Sequence, residues 1–445
     1  MARKWSRISR LGTLTTRISS SYVGQRIRGV FQDEEVQSES LRRLHIDNAG
    51  RIVDAMSHLK GAAMKVGQSV AVMAESLDLS DEVQGLFSRL NDRAEPIPFD
   101  QIRRVLEGEY ERPLEEIFAE IDPEPLGTAS LAQAHAGRLI CGRSIVVKVL
   151  HEGVEHSVDT DLLALKSIML AGRLVKRTRE EIDLIFDEIR ERLLEELDYL
   201  NEAENLRKFH PFISQIEGVE SPLPVDELCT KRVLVMDRLL GMNLETFCNT
   251  ASPEAKQRAG DRLAEVFHQS AYVFRAIHAD PHGGNYLFRS DGRVALIDFG
   301  CVKRFSLQFI QDYSTLGNSI LDDDRDGLIK IAREMGMLVS EDPESAAALW
   351  DFAQGIRGPF DQRPFRCGGP TDNLVKDVRR VGKRLLLHQD IRPPRDIIFF
   401  HRALMGTYSM LCRFGHQANY EDIRRKYANI AIAVANGELE DMGWS

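Results

Sequence analysis

The chain has 445 residues, 43% of them hydrophobic and 28% charged, and a net charge of −10. It is long enough for one large two-lobed domain or several smaller ones with a sizeable core, and its acidic balance excludes a general nucleic-acid binder, which needs a basic surface. Its six cysteines show no metal-finger or redox spacing, and no run of about 18 apolar residues offers a membrane-spanning helix.

Residues 1–32 carry Arg3, Lys4, Arg7, Arg10, Arg17, Arg26 and Arg28 and no acid. Trp5, Ile8, Leu11, Leu14, Ile18 and Tyr22 recur every three or four residues between them, which predicts a basic amphipathic segment over 1–35. Three readings stay open for it: contact with an anionic membrane surface, an Arg- and Ser-rich transit peptide, or a solvated tail. The arginines between its apolar residues argue against a secretory signal. Helices are predicted over 40–95, where Leu41, Ile52, Met56, Leu59, Met64 and Val70 fall on helical periods. Inside them, Gly67 costs about 1 kcal/mol relative to Ala, and Lys65 and Gln68 share one face. Pro96-Ile97-Pro98 is a break, helices follow over 99–107 and near 113–120, and Pro123 and Pro125 end the helical module, 36–122.

The character then changes. Leu126-Gly127-Thr128-Ala129-Ser130 reads as a small-residue loop, and 131–140 and 144–150 read as strands around a Cys141-Gly142-Arg143 turn. Lys148 is the only polar residue of Ile145–Leu150 and shares a sheet face with Val146 and Leu150. A buried ammonium there needs a partner. Residues 155–210 read as helical, with Leu193, Leu197, Leu200 and Ala203 as the core stripe and Glu195, Asp198 and Glu202 crowding one face. That face is either solvated or offset by a lysine or a metal. A strand is predicted at 233–237, a turn at Gly241 and a helix over 254–278. After 305 the chain reads as wholly helical, with no further chemical cluster.

The sharpest segment is His278-Ala279-Asp280-Pro281-His282-Gly283-Gly284-Asn285, followed by a hairpin of Tyr286–Phe288 and Val294–Ile297 that ends in Asp298-Phe299-Gly300. Phosphoryl transfer needs positioning and charge neutralisation more than covalent chemistry. Asp280 suits the orientation of an attacking hydroxyl or water. Asn285 and Asp298 offer the hard oxygens that Mg2+ prefers. The HxDxxxxN…DFG order matches the protein-kinase catalytic and metal loops, in which an upstream strand lysine pairs with the phosphates and a helix glutamate. Lys148 and the acidic helix supply both types in that order. The competing reading, a hydrolytic metal cluster of His278, Asp280 and His282, lacks a further obvious imidazole ligand.

Over roughly residues 40–310 the chain resembles the UbiB (AarF) atypical kinase-like proteins. Lys65-Val66-Gly67-Gln68 matches the family's KxGQ motif, Glu196-Leu197-Asp198 its ExD motif, and His278 to Asn285 its HADPHPGN motif with Gly284 in place of proline. Gly127-Thr128-Ala129-Ser130 stands where the family has its Ala-rich AAAS loop, a departure that bears on nucleotide preference. The resemblance implies an α+β, two-lobed kinase-like fold with an added helical module, an N-lobe over 123–240 and a C-lobe over 241–445. It implies ATP with Mg2+ or Mn2+ at Gly127, Thr128, Ala129, Ser130, Lys148, Met236, Asp237 and Leu239, with Asn285 and Asp298 as metal ligands. Asp280, Lys148 and Glu202 are the expected catalytic set. Lys65, Gly67, Gln68, Glu196 and Asp198 form a regulatory set that covers the site against peptides. On a regular helix Glu196 and Asp198 diverge by about 200°, so Glu202 is assigned to Lys148, and Asp198 or Glu196 to Lys65. No APE segment follows the DFG motif. That argues against ordinary protein-kinase activity, and the resemblance implies an ATPase acting at a membrane surface in isoprenoid-quinone metabolism, with a lipid or small-molecule kinase and a nucleotide-sensing scaffold as alternatives. Expected partners are nucleotide, anionic membrane, isoprenoid lipid, and a second copy or quinone-biosynthesis proteins. The expected location is cytoplasmic or peripheral at an inner membrane, with a mitochondrial host as the alternative.

Overall fold

The computed structural model describes residues 34–59, 62–72, 80–87, 96–155, 157–171, 178–385 and 388–444, with Val175 and isolated positions before residue 34. The basic amphipathic segment thus lies outside the described residues, apart from scattered positions such as Arg17 and the fully buried Ile18. The chain divides into two compact units, Met1–Ala203 with Pro224–Arg238, and Glu204–Leu223 with Leu239–Ser445.

The first unit opens with helices Glu34–Leu59, Ala62–Val72 and Asp81–Phe87, which pack on one another. Ala49, Ile52, Val53 and Met56 of the first, and Ala63, Met64, Val66 and Val70 of the second, are buried, the wide apolar stripe that a core-facing helix needs. An antiparallel sheet follows, ordered β1 (Phe118–Thr128), β2 (Ala132–Leu139), β3 (Ser144–Leu150) and β5 (Val233–Asp237), with β4 (Val219–Glu220) in the other unit. Ile145, Val147 and Val149 of β3 are fully buried against Ile102, Val105 and Leu106 of helix Phe99–Tyr110. Lys148 therefore faces the other side of the sheet, as strand alternation requires.

β1 corrects the sequence reading. The expected helix near 113–120 is only a 3-10 turn, Leu114–Glu116, and Pro123 and Pro125 lie inside a strand. β1 is an edge strand, and its register slips between Ile121 and Pro125 and again before Gly127. Edge position and bulges are where a sheet tolerates a residue without an N–H.

The stretch read as helical over 155–210 holds, among the described residues, the helices Val158–Ala171, Arg179–Glu196 and Tyr199–Ile213. Asp198 breaks the last pair: its Oδ1 accepts from the backbone N–H groups of Leu200 (3.1 Å) and Asn201 (3.4 Å). A short carboxylate satisfying the first N–H groups is the usual start of a helix. The helix Tyr199–Ile213 leaves the first unit after Ala203.

In the second unit, Ser252 caps helix Pro253–His268 by accepting from Ala255 N–H. A π-helical turn, Gln269–Phe274, follows and ends at Arg275 in the left-handed region (φ 56°). Residues 276–278, expected as helix, are β6 (Ala276–His278), paired antiparallel with β9 (Val302–Arg304). The reversal of backbone hand at Arg275 is what stops the helical pattern there. β7 (Tyr286–Phe288) and β8 (Val294–Leu296) form the hairpin, with β4 parallel to β8. Its turn needs Gly292 (φ 87°), where a side chain would also sit 2.6 Å from the Ala255 carbonyl. Beyond 305, helices Leu307–Leu321, Arg325–Glu334, Pro343–Gly355, Gly358–Asp361, Leu374–Leu385, Arg395–Phe414 and Tyr420–Ala435 surround a core that includes Phe267, Tyr272, Ile310, Phe400 and Tyr427. This region is not wholly helical: β10 (Phe365–Arg366) pairs with β11 (Gln417–Ala418).

Candidate functional site

In the first unit, Lys148 Nζ meets Glu202 Oε1 at 2.6 Å, with only 14% and 5% of the two side chains exposed. β3 supplies the lysine, between its neighbours β2 and β5, and the first turn of helix Tyr199–Ile213 supplies the glutamate. The acidic crowding read from sequence is thereby partly resolved. Glu202 goes to the strand lysine, and Asp198 is spent on the helix start.

Lys65 Nζ meets Glu196 Oε2 at 2.7 Å, at intermediate exposure. One turn further on the same helix, Gln68 Oε1 accepts from Ser130 Oγ at 3.3 Å. The KxGQ helix, in which Gly67 is buried, is thus tied at one end to helix Arg179–Glu196 and at the other to the segment 127–130. Within that segment Gly127 and Thr128 are the last residues of β1, opposite Ala134 and Gln133. Ala129 N–H bonds the Ala132 carbonyl at 2.8 Å. Gly127 and Ala129 are exposed and Ser130 is buried. Met236 is 2% exposed on β5, where it pairs with Val146 of β3. Asp237 is committed to Arg143 at 2.7 Å. Leu239, half-buried, opens the second stretch of chain in the second unit.

In the second unit, the loop after β6 is braced by its own backbone. His278 Nδ1 accepts from Asp280 N–H (3.1 Å), while the Asp280 carbonyl accepts from Asn285 Nδ2 (2.9 Å) and His282 N–H (2.7 Å). With its NH2 donated inward, the amide of Asn285 keeps its oxygen for another partner. Ile297 N–H bonds the Asn285 carbonyl at 3.0 Å, which sets Asn285 beside the residue preceding Asp298. Asp298 Oδ1 accepts from Gly300 N–H at 3.1 Å and lies 3.8 Å from His278 Nε2. Phe299 is fully buried against Phe209, and its carbonyl accepts from Asn205 Nδ2 at 2.9 Å. Burial first, and then the charge of Asp280, push the Tyr286 phenol above its usual range.

Both imidazoles of the alternative metal cluster accept from the loop backbone through Nδ1, and His278 is almost wholly enclosed. Among the described residues no three His, Cys, Asp or Glu side chains are placed to share a metal.

Two residues of this site were missed by sequence reasoning. Arg402 Nη2, on helix Arg395–Phe414, donates to Asp280 Oδ1 at 3.3 Å across 122 positions of chain. Nothing local in either segment announces that contact. Asn205, which holds the Phe299 carbonyl, was missed for the same reason.

A strand lysine paired to a helix glutamate in one unit, and an ordered Asp, Asn and DFG Asp on a loop and hairpin in the other, define a protein-kinase-like protein. The chain belongs to the ABC1 atypical kinase-like family, the UbiB (AarF) branch of that superfamily, whose domain matches residues 89–332. It is 27% identical to the mitochondrial atypical kinase COQ8 of Saccharomyces cerevisiae over 416 residues, 92% of this chain and 82% of the yeast protein. It is 25% identical to the mitochondrial atypical kinase coq-8 of Caenorhabditis elegans over 82% of this chain, and spans only about half (49%) of that relative. The mouse AarF domain-containing protein kinase 1 is 28% identical over 74% of this chain and 63% of its own length. The fold is shared with Rv3197 of Mycobacterium tuberculosis, solved with erythromycin, at a TM-score of 0.61 and 21% identity over 89% of this chain and 98% of that one.

Proposed function

We propose that the chain binds ATP with Mg2+ or Mn2+ and works as an atypical kinase-like ATPase on an isoprenoid-quinone pathway at a membrane surface. The observation that carries the nucleotide reading is the buried Lys148–Glu202 pair. A lysine enclosed at that level is an expensive way to hold a strand together, and a fitting way to present a fixed cation to phosphates. Lys148 then neutralises phosphate charge, Glu202 fixes its direction, and Asp280 orients the acceptor. The outward oxygen of Asn285 and the carboxylate of Asp298 suit a hard divalent ion, which when bound supplies further neutralisation of the phosphates. Gly127 to Ser130, and the backbone of Met236, Asp237 and Leu239, are the remaining nucleotide contacts in this reading.

The acceptor is water or a lipid hydroxyl rather than a peptide. In support, Lys65 and Gln68 anchor the KxGQ helix to Glu196 and to Ser130, directly against the proposed nucleotide loop. The quinone pathway and the membrane rest on the family resemblance and on the mitochondrial COQ8 relatives. The attachment proposed is peripheral, through the basic segment 1–35; no described helix is long and apolar enough to cross a membrane.

The test is Mg-ATP turnover by the purified chain, with labelled γ-phosphate traced to water and to extracted lipid. Asp298→Asn should lower turnover at least about 100-fold, since a metal clamp contributes several kcal/mol of transition-state stabilisation. Turnover unchanged in that variant sinks the metal assignment. A lipid-kinase reading is favoured by the half-exposed Asp280 carboxylate, and label appearing in lipid would select it. Binding without any turnover would select a nucleotide-sensing scaffold.

A further inference from the structure

Helix Arg395–Phe414 addresses two consecutive residues of the catalytic loop. Arg402 reaches Asp280 with a charge, Nη2 to Oδ1 at 3.3 Å. One turn later, Gly406 backs onto Pro281: a side chain there would collide with the proline ring and sit 3.1 Å from the Pro281 carbonyl. Positions four apart share a helix face, so both contacts come from one surface of one helix.

The loop's other bonds all fall on backbone. The N–H of Asp280 goes to His278 and its carbonyl goes to Asn285 and His282. Among the described residues, Arg402 is the one hydrogen-bond partner of the Asp280 carboxylate. The contact is single-pronged and uses Oδ1, which leaves Oδ2 for a hydroxyl or water. The pair is also half open to solvent, with 35% of Arg402 and 50% of Asp280 exposed. An ion pair that exposed contributes little to folding, so its consequence is where the carboxylate points.

We propose that Arg402 is the positioning residue for Asp280. Helix Arg395–Phe414, through Arg402 and the close Gly406–Pro281 approach, sets the direction of the carboxylate towards the phosphate acceptor. The inference rests on the reading of Asp280 as the acceptor-orienting group. It makes the C-terminal helices, beyond the residues 89–332 that carry the family domain, part of the phosphoryl-transfer machinery.

The experiment compares the full chain with Arg402→Gln, Arg402→Lys, Asp280→Asn, the Arg402→Gln/Asp280→Asn double variant and Gly406→Ala. Each is measured for steady-state Mg-ATP turnover, nucleotide affinity and thermal unfolding. Arg402→Gln should lower kcat by about 10- to 100-fold, the range expected when a reacting group is misplaced by about 1 Å. The KM for ATP should stay within about twofold and the melting temperature should not move. Arg402→Lys should recover part of kcat, and Gly406→Ala should lower it with Arg402 intact. The double variant should be no slower than Asp280→Asn alone, because residues acting through one another are non-additive. Wild-type kcat in Arg402→Gln, with Asp280→Asn impaired, overturns this inference and leaves the Asp280 reading standing. So does an Arg402→Gln loss that repeats in full on the Asp280→Asn background, which marks a merely structural role. Undiminished turnover in Asp280→Asn, or none in the wild type, overturns both.

Discussion

The Lys148–Glu202 and Lys65–Glu196 pairs have nearly the same length, 2.6 and 2.7 Å, and should behave very differently when broken. The deciding quantity is burial. Lys148 and Glu202 expose 14% and 5% of their side chains, whereas Lys65 and Glu196 expose 26% and 34%. Lys148→Met strands a carboxylate in the interior, which costs about 3–5 kcal/mol. Glu202→Gln keeps the shape and a neutral acceptor, so its cost is smaller, about 1–3 kcal/mol. Replacing both, as Lys148→Met with Glu202→Leu, removes the charges together and should return most of the lost stability. Nucleotide affinity should not return with it, because no fixed cation remains. The assay is a double-mutant cycle on the full chain, with urea unfolding and a fluorescent ATP analogue titrated in parallel. A coupling of about 2–3 kcal/mol is expected for the buried pair and below about 1 kcal/mol for Lys65–Glu196. A buried-pair coupling under about 0.5 kcal/mol, or a double variant that binds nucleotide like the wild type, refutes the reasoning.

Gly127→Ala places a methyl group in open space at a residue without positive φ. It should cost no stability, and adding up to about 1 kcal/mol through the unfolded state is the expected sign. If the 127–130 segment reads the nucleotide, its ATP-to-ADP affinity ratio shifts; an unchanged ratio removes the segment from the site. Burial pushes His268 and His401 down to about 4. The unfolded chain therefore binds more protons below the ordinary imidazole value near 6.5. The stability these groups contribute is complete above pH 6.5 and is lost as pH falls towards 4, at up to about 1.4 kcal/mol per pH unit each. Urea midpoints measured from pH 7 to pH 4.5 should fall, and His401→Gln should fall less steeply; parallel slopes would contradict this. Binding to anionic liposomes should weaken with salt and with deletion of residues 1–32, since each basic residue near such a surface contributes roughly 1 kcal/mol over about a Debye length. Full binding by the deleted chain would refute the membrane role of that segment.

The parts of the fold legible in sequence are those whose period is carried by side chains. β3 alternates Ile145, Val147 and Val149 against Val146 and Lys148, and that alternation is the buried pattern observed. The hairpin around Ser290-Asp291-Gly292 was legible because its turn needs a residue free to take positive φ. The misreadings have backbone causes. Pro123 and Pro125 count against a strand, yet an edge with bulges accommodates them. The switch from helix to strand at Arg275 depends on a left-handed residue that any sequence rule would assign to glycine.

The site divides along the same line. Asp280, Asn285 and Asp298 were legible because the bonds that arrange them run within the loop and its hairpin, between residues a few positions apart. Glu196 and Asp198 were ambiguous because a phase argument holds only along one unbroken helix. The break at Leu197–Asp198 resets the phase, so Glu196 reaches Lys65 at the end of one helix while Glu202 reaches Lys148 from the next. Arg402 had no signature at all: on helix Arg395–Phe414 it is one arginine among others, and only the tertiary fold singles it out. Local spacing therefore brings Asp280, Asn285 and Asp298 together on one loop and its hairpin. The direction in which Asp280 presents its carboxylate is set by a helix that begins more than a hundred residues later, and it becomes readable only once that helix is in place.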